Sequence, residues 1–503
     1  MGIIQQQSIR TSIYIFIGFI VGAINILVLF PLFFSQPEIG MTRALMDISV
    51  TLSTLATFGS IPVIYKFYPF YKDYLAQNKN DLPFITGLVC LVGFMAVLIS
   101  GFVFEDFFIR KLGKSPEFAE YFVLIYPYSF LFMVFMWLEA FGWGLKKTAL
   151  TNFLKETLVR VIVTLLVMVF AARLVGIDGF MKLYSLLYLL PVISLITILV
   201  RSGQWKFNIV SPSKVSQRMG KRMITFGLFI FGAQFLNVLA RTSDTIFAIG
   251  FEGLPQAGLF AIGSYLVAIM EIPQRSLSAI SVPVLAESWK DRNMNNIDDI
   301  YKKSVSNLLV IASGLFSLIV LNIHDVVEML NFFGRKTNAD YSIIVQIVVV
   351  MGIARIIDLG TGINSQIIGT SNFWRFDFFT NVFYTALSIP LNFLLIKEYG
   401  IVGLAYANLI ALSLYNLVRF IFLLVKFGLQ PYTAKSLQTV LLAGVCFAIV
   451  WFIPLNINWY LSIPIRSLIF CLIFIPLMHY TKAAPELSAL GDKWLNKLRG
   501  RSS

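Results

Sequence analysis

The sequence predicts an all-α integral membrane protein with about fourteen transmembrane helices, and three observations support this fold class. The first is composition: 58% of the 503 residues are hydrophobic and only 13% are charged, with a mean hydropathy of +0.80. A soluble domain carries about 25% charged residues, and its core cannot absorb such an apolar excess, whereas a lipid-facing surface can. The second is a series of long apolar segments, and the third is the placement of the basic residues.

The apolar segments are long enough to cross a bilayer, whose hydrocarbon core needs about 20 apolar residues in a helix. They are continuous runs, which favours helices over the alternating strands of a membrane barrel. The fourteen predicted spans cover residues 12–34, 40–64, 83–104, 120–142, 150–172, 180–200, 223–249, 256–282, 304–323, 341–363, 376–396, 401–425, 436–454 and 459–478. The first run is too long for the apolar region of a signal peptide, so we predict no cleavable leader.

The basic residues set the orientation. Most of the Lys and Arg residues outside the spans fall in alternate connections, above all in residues 201–222 and 283–303, and in the C-terminal tail. By the positive-inside rule, we predict that these segments and both termini are cytoplasmic. The net charge of +14 then reflects topology, and we expect no nucleic-acid partner.

An internal repeat divides the chain. Residues 151–153 (Thr-Asn-Phe) and 371–373 (Ser-Asn-Phe) open predicted spans 5 and 11, and both spans are followed by a Gly-Ile-x-Gly turn. Short Pro- and Gly-containing connections, residues 36–40 and 254–258, recur with the same offset of six spans. We therefore predict an N-lobe (1–200), a cytoplasmic linker (201–222), a C-lobe (223–430), predicted spans 13 and 14 (431–480) and a basic tail (481–503).

The chain resembles a known superfamily in three features. These are the internal repeat, the segment Glu38-Ile39-Gly40 at the start of predicted span 2, and the aromatic and basic residues 66–72 at the end of that span. That superfamily is the multidrug/oligosaccharidyl-lipid/polysaccharide (MOP) exporter superfamily, and within it the polysaccharide, O-antigen (Wzx-type) flippases. The resemblance covers nearly the whole chain. It implies two pseudo-symmetric six-helix lobes plus two C-terminal helices, a V-shaped central cavity, and alternating access. It also implies a lipid-linked oligosaccharide substrate, moved to the periplasmic leaflet for cell-surface polysaccharide assembly.

Ionisable residues inside the predicted spans are candidate site residues, because a charge at bilayer depth costs a few kcal/mol. Most occur as opposite charges three or four residues apart, which places both on one helix face. The candidate substrate-cavity residues are the pairs Arg43 and Asp47, Arg241 and Asp244, Glu271 and Arg275, and Arg355 and Asp358, together with Arg160. Arg160 has no obvious local partner in the sequence, and Glu139 is expected to pair elsewhere in the chain.

The arginines suit a pyrophosphate-bearing lipid. Arginine presents a planar fork of donors to phosphate oxygens and stays charged at any relevant pH. In the resembled family the first, second, seventh and eighth helices line the cavity, and three of the four pairs fall on predicted spans 2, 7 and 8. The alternative is that such pairs gate or pack the helices. For Arg43, near the outer end of its span, snorkelling to the interface is a further alternative.

Other functions stay open at this stage. A peptidoglycan-precursor flippase would also carry a pyrophosphate, and an ion-coupled multidrug exporter of the same superfamily would favour an acidic cavity. A membrane polysaccharide polymerase or ligase needs a larger periplasmic loop; His324, Asp325 and Glu328 are interpreted as loop residues. A passive scaffold for the assembly machinery is the remaining class.

No metal cluster or nucleotide motif is apparent in the sequence. We accordingly expect a non-enzymatic transporter without a cofactor and without direct use of ATP. We further expect a monomer, and coupling to an H⁺ or Na⁺ gradient is left open. Its expected partners are the lipid-linked oligosaccharide and membrane lipids, with contacts to glycan-assembly enzymes left open.

Overall fold

The computed structural model describes residues 3–105, 116–145, 147–203, 205–208, 211–334, 340–455, 457–484, 488 and 492. The side chains of residues 3–13, Pro116, Glu117, Ala233, Asn237, Arg241, Ala279 and Pro283 lie outside that description. Helices joined by turns and short connections make up these residues, which contain no strand, so the all-α prediction is confirmed.

The chain divides into two compact units, Met1–Gly258 and Leu259–Ser503. The main helices of the first unit are α1 (Ile3–Ile24), α2 (Gln36–Ala56), α3 (Ser60–Tyr74), α4 (Leu82–Val103), α5 (Ile125–Gly144), α6 (Val159–Ala171), α7 (Ile177–Ser185), α8 (Leu189–Arg201) and α9 (Lys214–Phe247). Helix α10 (Leu254–Ala268) begins in this unit. The predicted division into lobes, linker and tail stays a prediction.

The second unit contains one very long helix, α12, which packs against α13, α17 and α18. Its helices are α11 (Glu271–Lys290), α12 (Met294–Phe333), α13 (Ile344–Gly360), α14 (Asn364–Thr370), α15 (Trp374–Tyr399), α16 (Val402–Phe427), α17 (Ala434–Trp451) and α18 (Trp459–Tyr480).

Within the residues that the structure describes, ten helices are long and apolar enough to cross a membrane, and the number rises to 13 if each of three bent helix pairs is one span. The exact count of fourteen stays a prediction. The missing candidate is predicted span 5, because the π-helical turn Phe153–Leu158 separates the short helix Thr148–Asn152 from α6. Neither piece reaches the length that a bilayer requires.

The three bent pairs correspond to predicted spans 2, 8 and 10, which the sequence alone suggests are continuous. Helices α2 and α3 meet at 49°, α10 and α11 at 50°, and α13 and α14 at 43°. Gly59, at the first break, has φ 79° and Gly362, at the third, has φ 69°. Both conformations are left-handed, which glycine adopts without the strain of a side chain.

The start of α2 explains the segment Glu38-Ile39-Gly40. Glu38 Oε2 accepts hydrogen bonds from the backbone N–H of Ser35 at 2.6 Å and from its hydroxyl at 2.9 Å, closing a capping box. Gly40 faces backbone: a Cβ there would lie 2.0 Å from the carbonyl oxygen of Leu254, and one at Gly258 would lie 2.6 Å from that of Gln36. The two recurring Pro- and Gly-containing segments therefore pack directly against each other.

Small hydroxyl side chains join α2 to its neighbours in the first unit. Ser49 and Ser53 donate to backbone carbonyls of α5, and Thr51 shares a 2.7 Å hydrogen bond with Thr242 on α9. In membrane helices, small residues allow such close approach and polar ones add interhelical hydrogen bonds. Helix α2 is thus fixed between α5 and α9.

In the second unit, Arg466 on α18 joins its helix to α12, donating to Asp325 at 2.8 Å and to the carbonyl of Leu321 at 3.0 Å. The interpretation of His324, Asp325 and Glu328 as loop residues was wrong, since α12 continues to Phe333. The polar residues are tolerated inside the helix because Asp325 has an ionic partner on the neighbouring helix.

Candidate functional site

The predicted pair on α2 forms. Arg43 Nε donates to Asp47 Oδ2 at 2.6 Å, and the same oxygen accepts a 2.5 Å hydrogen bond from the hydroxyl of Thr245 on α9. Asp47 therefore both neutralises Arg43 and helps hold α2 to α9. Its carboxylate is largely buried, whereas the arginine is about one-third exposed.

The side chain of Arg241 lies outside the described part of the structure, so its predicted pair with Asp244 stays a prediction. Asp244 does have an interaction partner in the structure. Both residues lie on α9, on the stretch in which Thr242 and Thr245 bond to α2. The helix that carries them is therefore firmly positioned.

Arg160 was expected to lack a local partner, and this was wrong. Its Nη2 lies 3.1 Å from Glu156 Oε2, one helical turn earlier. Glu139 on α5 was expected to pair elsewhere, and it does so with Lys155 at 3.1 Å. Because Lys155 and Glu156 both belong to the π-helical turn Phe153–Leu158, this irregular turn carries one member of each ion pair.

The two predicted pairs of the second unit form a single chain of charges. Glu271 accepts from Arg275 at 2.9 Å through Oε2 and from Arg355 at 2.6 Å through Oε1. Arg355 also lies 3.5 Å from Asp358. The Glu271 carboxylate thus forms ion pairs with two arginines. In space, the contacts run from Arg275 to Glu271, then to Arg355 and then to Asp358.

Helix geometry accounts for the placement of Glu271. It is the first residue of α11, immediately after the break that follows α10, where the unpaired N–H groups and the helix dipole favour a negative charge. Arg275 follows one turn later and its side chain is 64% exposed, compared with 21% for Arg355. Arg275 is therefore the accessible end of the chain of charges.

The other end is anchored at the α13–α14 break. Asn416 on α16 donates to Asp358 at 2.9 Å, and its Oδ1 accepts from Thr361 at 2.9 Å and Asn364 at 3.0 Å. Polar side chains thus connect the start of α11 to the break between α13 and α14. This network holds Arg355 and Asp358 in place and leaves Arg275 as the cation most available to a ligand.

A further buried ion pair was missed from the sequence. Arg419 on α16 donates to Asp377 at 2.5 Å and to Thr380 at 3.0 Å, and its guanidinium lies 3.8 Å from the ring centroid of Tyr415. Arg419 is only 3% exposed. Its position within predicted span 12 is the signal that could have found it, by the same argument that selected the other intramembrane charges.

The described residues contain no group of three or more His, Cys, Asp or Glu side chains able to hold a metal ion. The ion-paired residues around Glu271 can bind an anion at Arg275, and Glu271 competes with that anion for the same guanidinium. An arginine has five N–H donors, and the bond to Glu271 uses one. Such a site favours phosphate or carboxylate groups over organic cations.

Comparison with solved structures identifies the fold. The lipid II flippase MurJ, in an inward closed conformation, has a TM-score of 0.74 and 15% sequence identity, covering 94% of this chain and 98% of MurJ. An inward-facing multidrug resistance MATE family transporter of the MOP superfamily has a TM-score of 0.59 and 14% identity, covering 82% and 98%. A MOP superfamily transporter from Pyrococcus furiosus, whose reversed pocket polarity suggests a different function, has a TM-score of 0.56 and 14% identity, covering 89% and 96%.

No protein-family model matches the chain, and no curated protein matches its sequence. The structural likeness nevertheless extends over almost the entire length of each neighbour. The chain is a multi-pass membrane protein with the fold of the MOP superfamily transporters, as the sequence predicted. Membership of the polysaccharide flippases within that superfamily stays a prediction.

Proposed function

We propose that this protein flips a polyprenyl-pyrophosphate-linked oligosaccharide repeat unit from the cytoplasmic to the periplasmic leaflet by alternating access. It would act as a monomer in the bacterial inner membrane, with both termini in the cytoplasm, and supply repeat units for cell-surface polysaccharide. The fold supports a transporter, because the neighbours are flippases and exporters rather than enzymes. The likeness to a lipid II flippase supports a lipid-linked substrate.

The observation that carries the proposal is the exposed Arg275 beside a carboxylate shared with Arg355. A guanidinium with free donors suits a pyrophosphate, and the attraction is stronger in a site of low dielectric constant than in water. Glu271 gives this site a built-in competitor: when the anion leaves, Arg275 returns to the carboxylate. Binding is therefore favourable without becoming too tight for release.

Energy input would come from an H⁺ or Na⁺ gradient. In the second unit, Glu271 and Asp358 both form ion pairs with Arg355. A proton or Na⁺ bound to one of these carboxylates would weaken its ion pair with the arginine. Within this proposal, the ion biases the equilibrium between two conformations only to the extent that it binds one of them better.

Two other cargoes have specific support. The likeness to MurJ favours a peptidoglycan precursor, and the likeness to MATE transporters favours a multidrug substrate. Against the multidrug reading, the most accessible charge in the described network is a cation, Arg275. The repeat-unit and peptidoglycan readings share the pyrophosphate and differ in the sugars.

The cellular test is complementation of a strain that lacks this protein. We expect Arg275→Ala to reduce surface polysaccharide about tenfold or more, because losing charge-assisted hydrogen bonds forfeits about 1.5–3 kcal/mol of binding. Lipid-linked repeat units should accumulate inside the cell, and Arg275→Lys should restore only part of the activity. Lys303→Ala is the matched control, since Lys303 forms a similar i,i+4 ion pair with Asp299 on α12. Protein levels in the membrane should be equal in all strains.

Three results would contradict the proposal in different ways. Intact surface glycans with new sensitivity to cationic drugs would assign the protein to multidrug export. Accumulated peptidoglycan precursor with normal surface polysaccharide would change the cargo to that precursor. Full activity of Arg275→Ala would show that this arginine does not bind the transported lipid.

A further inference from the structure

A separate apolar groove lies on the first unit, between α4 and α5. Its volume is about 260 Å³, larger than the roughly 150 Å³ cavity that admits benzene. By that scale it holds roughly ten carbon atoms of a chain. It is lined by Phe84, Gly87, Leu88, Cys90, Leu91, Phe130, Met133, Val134, Trp137 and Phe207.

The wall offers hydrocarbon and aromatic surface and almost no polar group. The indole N–H of Trp137, the most polar feature of the lining, already donates to Thr86 on α4 at 3.0 Å. Leu88, Leu91 and Phe130 remain exposed although they are apolar. A groove of this kind fits an aliphatic chain and gives a headgroup nothing to bind.

The shape of the groove depends on Gly87, which has no side chain, and on Phe207 in the segment that follows α8. A Cβ on Gly87 would lie 3.3 Å from Trp137 Cζ2 and 3.6 Å from Phe207 Cε2, so a larger residue would occupy the space between the two rings. Phe207 packs edge-on against Phe84 and Trp137, with ring centroids 6.1 and 6.2 Å apart. The chain segment after α8 thus forms one wall of the groove.

This segment is tied down beside the start of α4. Asn208 donates to the carbonyl of Gln77 at 2.8 Å, and the backbone N–H of Ser213 donates to Asp81 at 2.7 Å. Two exposed lysines stand in the joined segments, Lys206 next to Phe207 and Lys79 next to the Gln77–Asn208 contact. Basic residues immediately beside a membrane span attract anionic lipid headgroups.

We propose that this groove is a binding site for an acyl chain of an anionic phospholipid, with the headgroup at Lys206 and Lys79. The occupant is a bulk phospholipid rather than the polyprenyl chain of a transported lipid, because the groove lies between two helices long and apolar enough to cross a membrane, and phospholipid is the solvent of the bilayer. The site is independent of the charges around Glu271 and of the proposed transport cargo.

Native mass spectrometry of the purified full-length protein with added dioleoyl phosphatidylglycerol or phosphatidylcholine tests the site. Wild type should retain phosphatidylglycerol in preference. Gly87→Leu and Leu91→Trp, which fill the groove from its floor and its open side, should each lower retention about tenfold, equivalent to losing contact with about two methylene groups. Lys206→Ala should reduce the preference for the anionic headgroup. Gly444→Leu is the control, because a Cβ at this exposed glycine of α17 meets nothing within 4 Å.

Two outcomes would overturn the proposal. Retention by both groove-filling variants equal to that of Gly444→Leu would place the lipid elsewhere, and Leu91→Trp decides the question if Gly87→Leu fails to fold. Displacement of phosphatidylglycerol by an equal concentration of undecaprenyl phosphate would make a polyprenyl chain the occupant.

Discussion

Gly40→Leu is expected to prevent recovery of a stably folded protein, whereas Gly444→Leu should leave stability unchanged. At Gly40 the first side-chain atom alone would approach the carbonyl oxygen of Leu254 to 2.0 Å and its carbonyl carbon to 2.8 Å. Because the obstacle is backbone, no rotamer change relieves the overlap, and α2 must move away from the start of α10. Overpacking typically costs about 1–3 kcal/mol, and a clash with backbone belongs at or above that upper end.

Thermal unfolding in detergent, after a check of expression, measures this effect. Gly444→Leu is matched in chemistry and lies on a membrane helix with open space around the glycine. Gly40→Ala should already lower the melting temperature, since its Cβ is the clashing atom. Equal melting temperatures for Gly40→Leu and Gly444→Leu would show that α2 and α10 are not packed backbone to backbone.

Asp377→Ala is expected to destabilise the second unit by about 3–5 kcal/mol, the range for removing one partner of a buried ion pair. It would leave the guanidinium of Arg419 charged and 3% exposed, with Thr380 and the ring of Tyr415 as its remaining contacts. Arg419→Met should destabilise the second unit less than Asp377→Ala does. The Asp377 side chain is 22% exposed and would still accept from Ser365.

The double variant distinguishes the ion pair from general packing. Asp377→Ala combined with Arg419→Met should be more stable than Asp377→Ala alone, because no buried charge is left without its partner. The exposed pair Lys303 and Asp299 provides the reference, for which each single substitution should change stability by at most about 1 kcal/mol. Additive losses at Asp377 and Arg419 would contradict a direct interaction between them.

The ion pairs that could be predicted from the sequence are those between residues three or four apart on one helix. Arg43 with Asp47 and Glu271 with Arg275 follow from the helical repeat alone, and both pairs form. Glu271 with Arg355 and Asp325 with Arg466 join helices far apart in the chain. No local rule gives these contacts, because they depend on how the helices pack.

Helix irregularities show the same limit. Apolar length predicts where a span lies, yet it does not reveal a break inside it. Gly59 and Gly362, with their positive φ angles, mark two of the breaks, but glycine is also common in unbroken membrane helices. The first residues of α2 were more informative, since Pro37 and Glu38 suit the first turn of a helix and Gly40 allows the close backbone contact that the structure then shows.

The most direct test of the proposed function is translocation in proteoliposomes. Purified protein would be reconstituted with a fluorescent polyprenyl-pyrophosphate oligosaccharide, and a membrane-impermeant quencher would report the fraction of label in the outer leaflet over time. We expect wild type to move the label faster than empty vesicles do, Arg275→Ala to be about tenfold slower or worse, and Lys303→Ala to match wild type. Lipid movement at the empty-vesicle rate, together with gradient-driven export of a cationic dye, would contradict the proposed function.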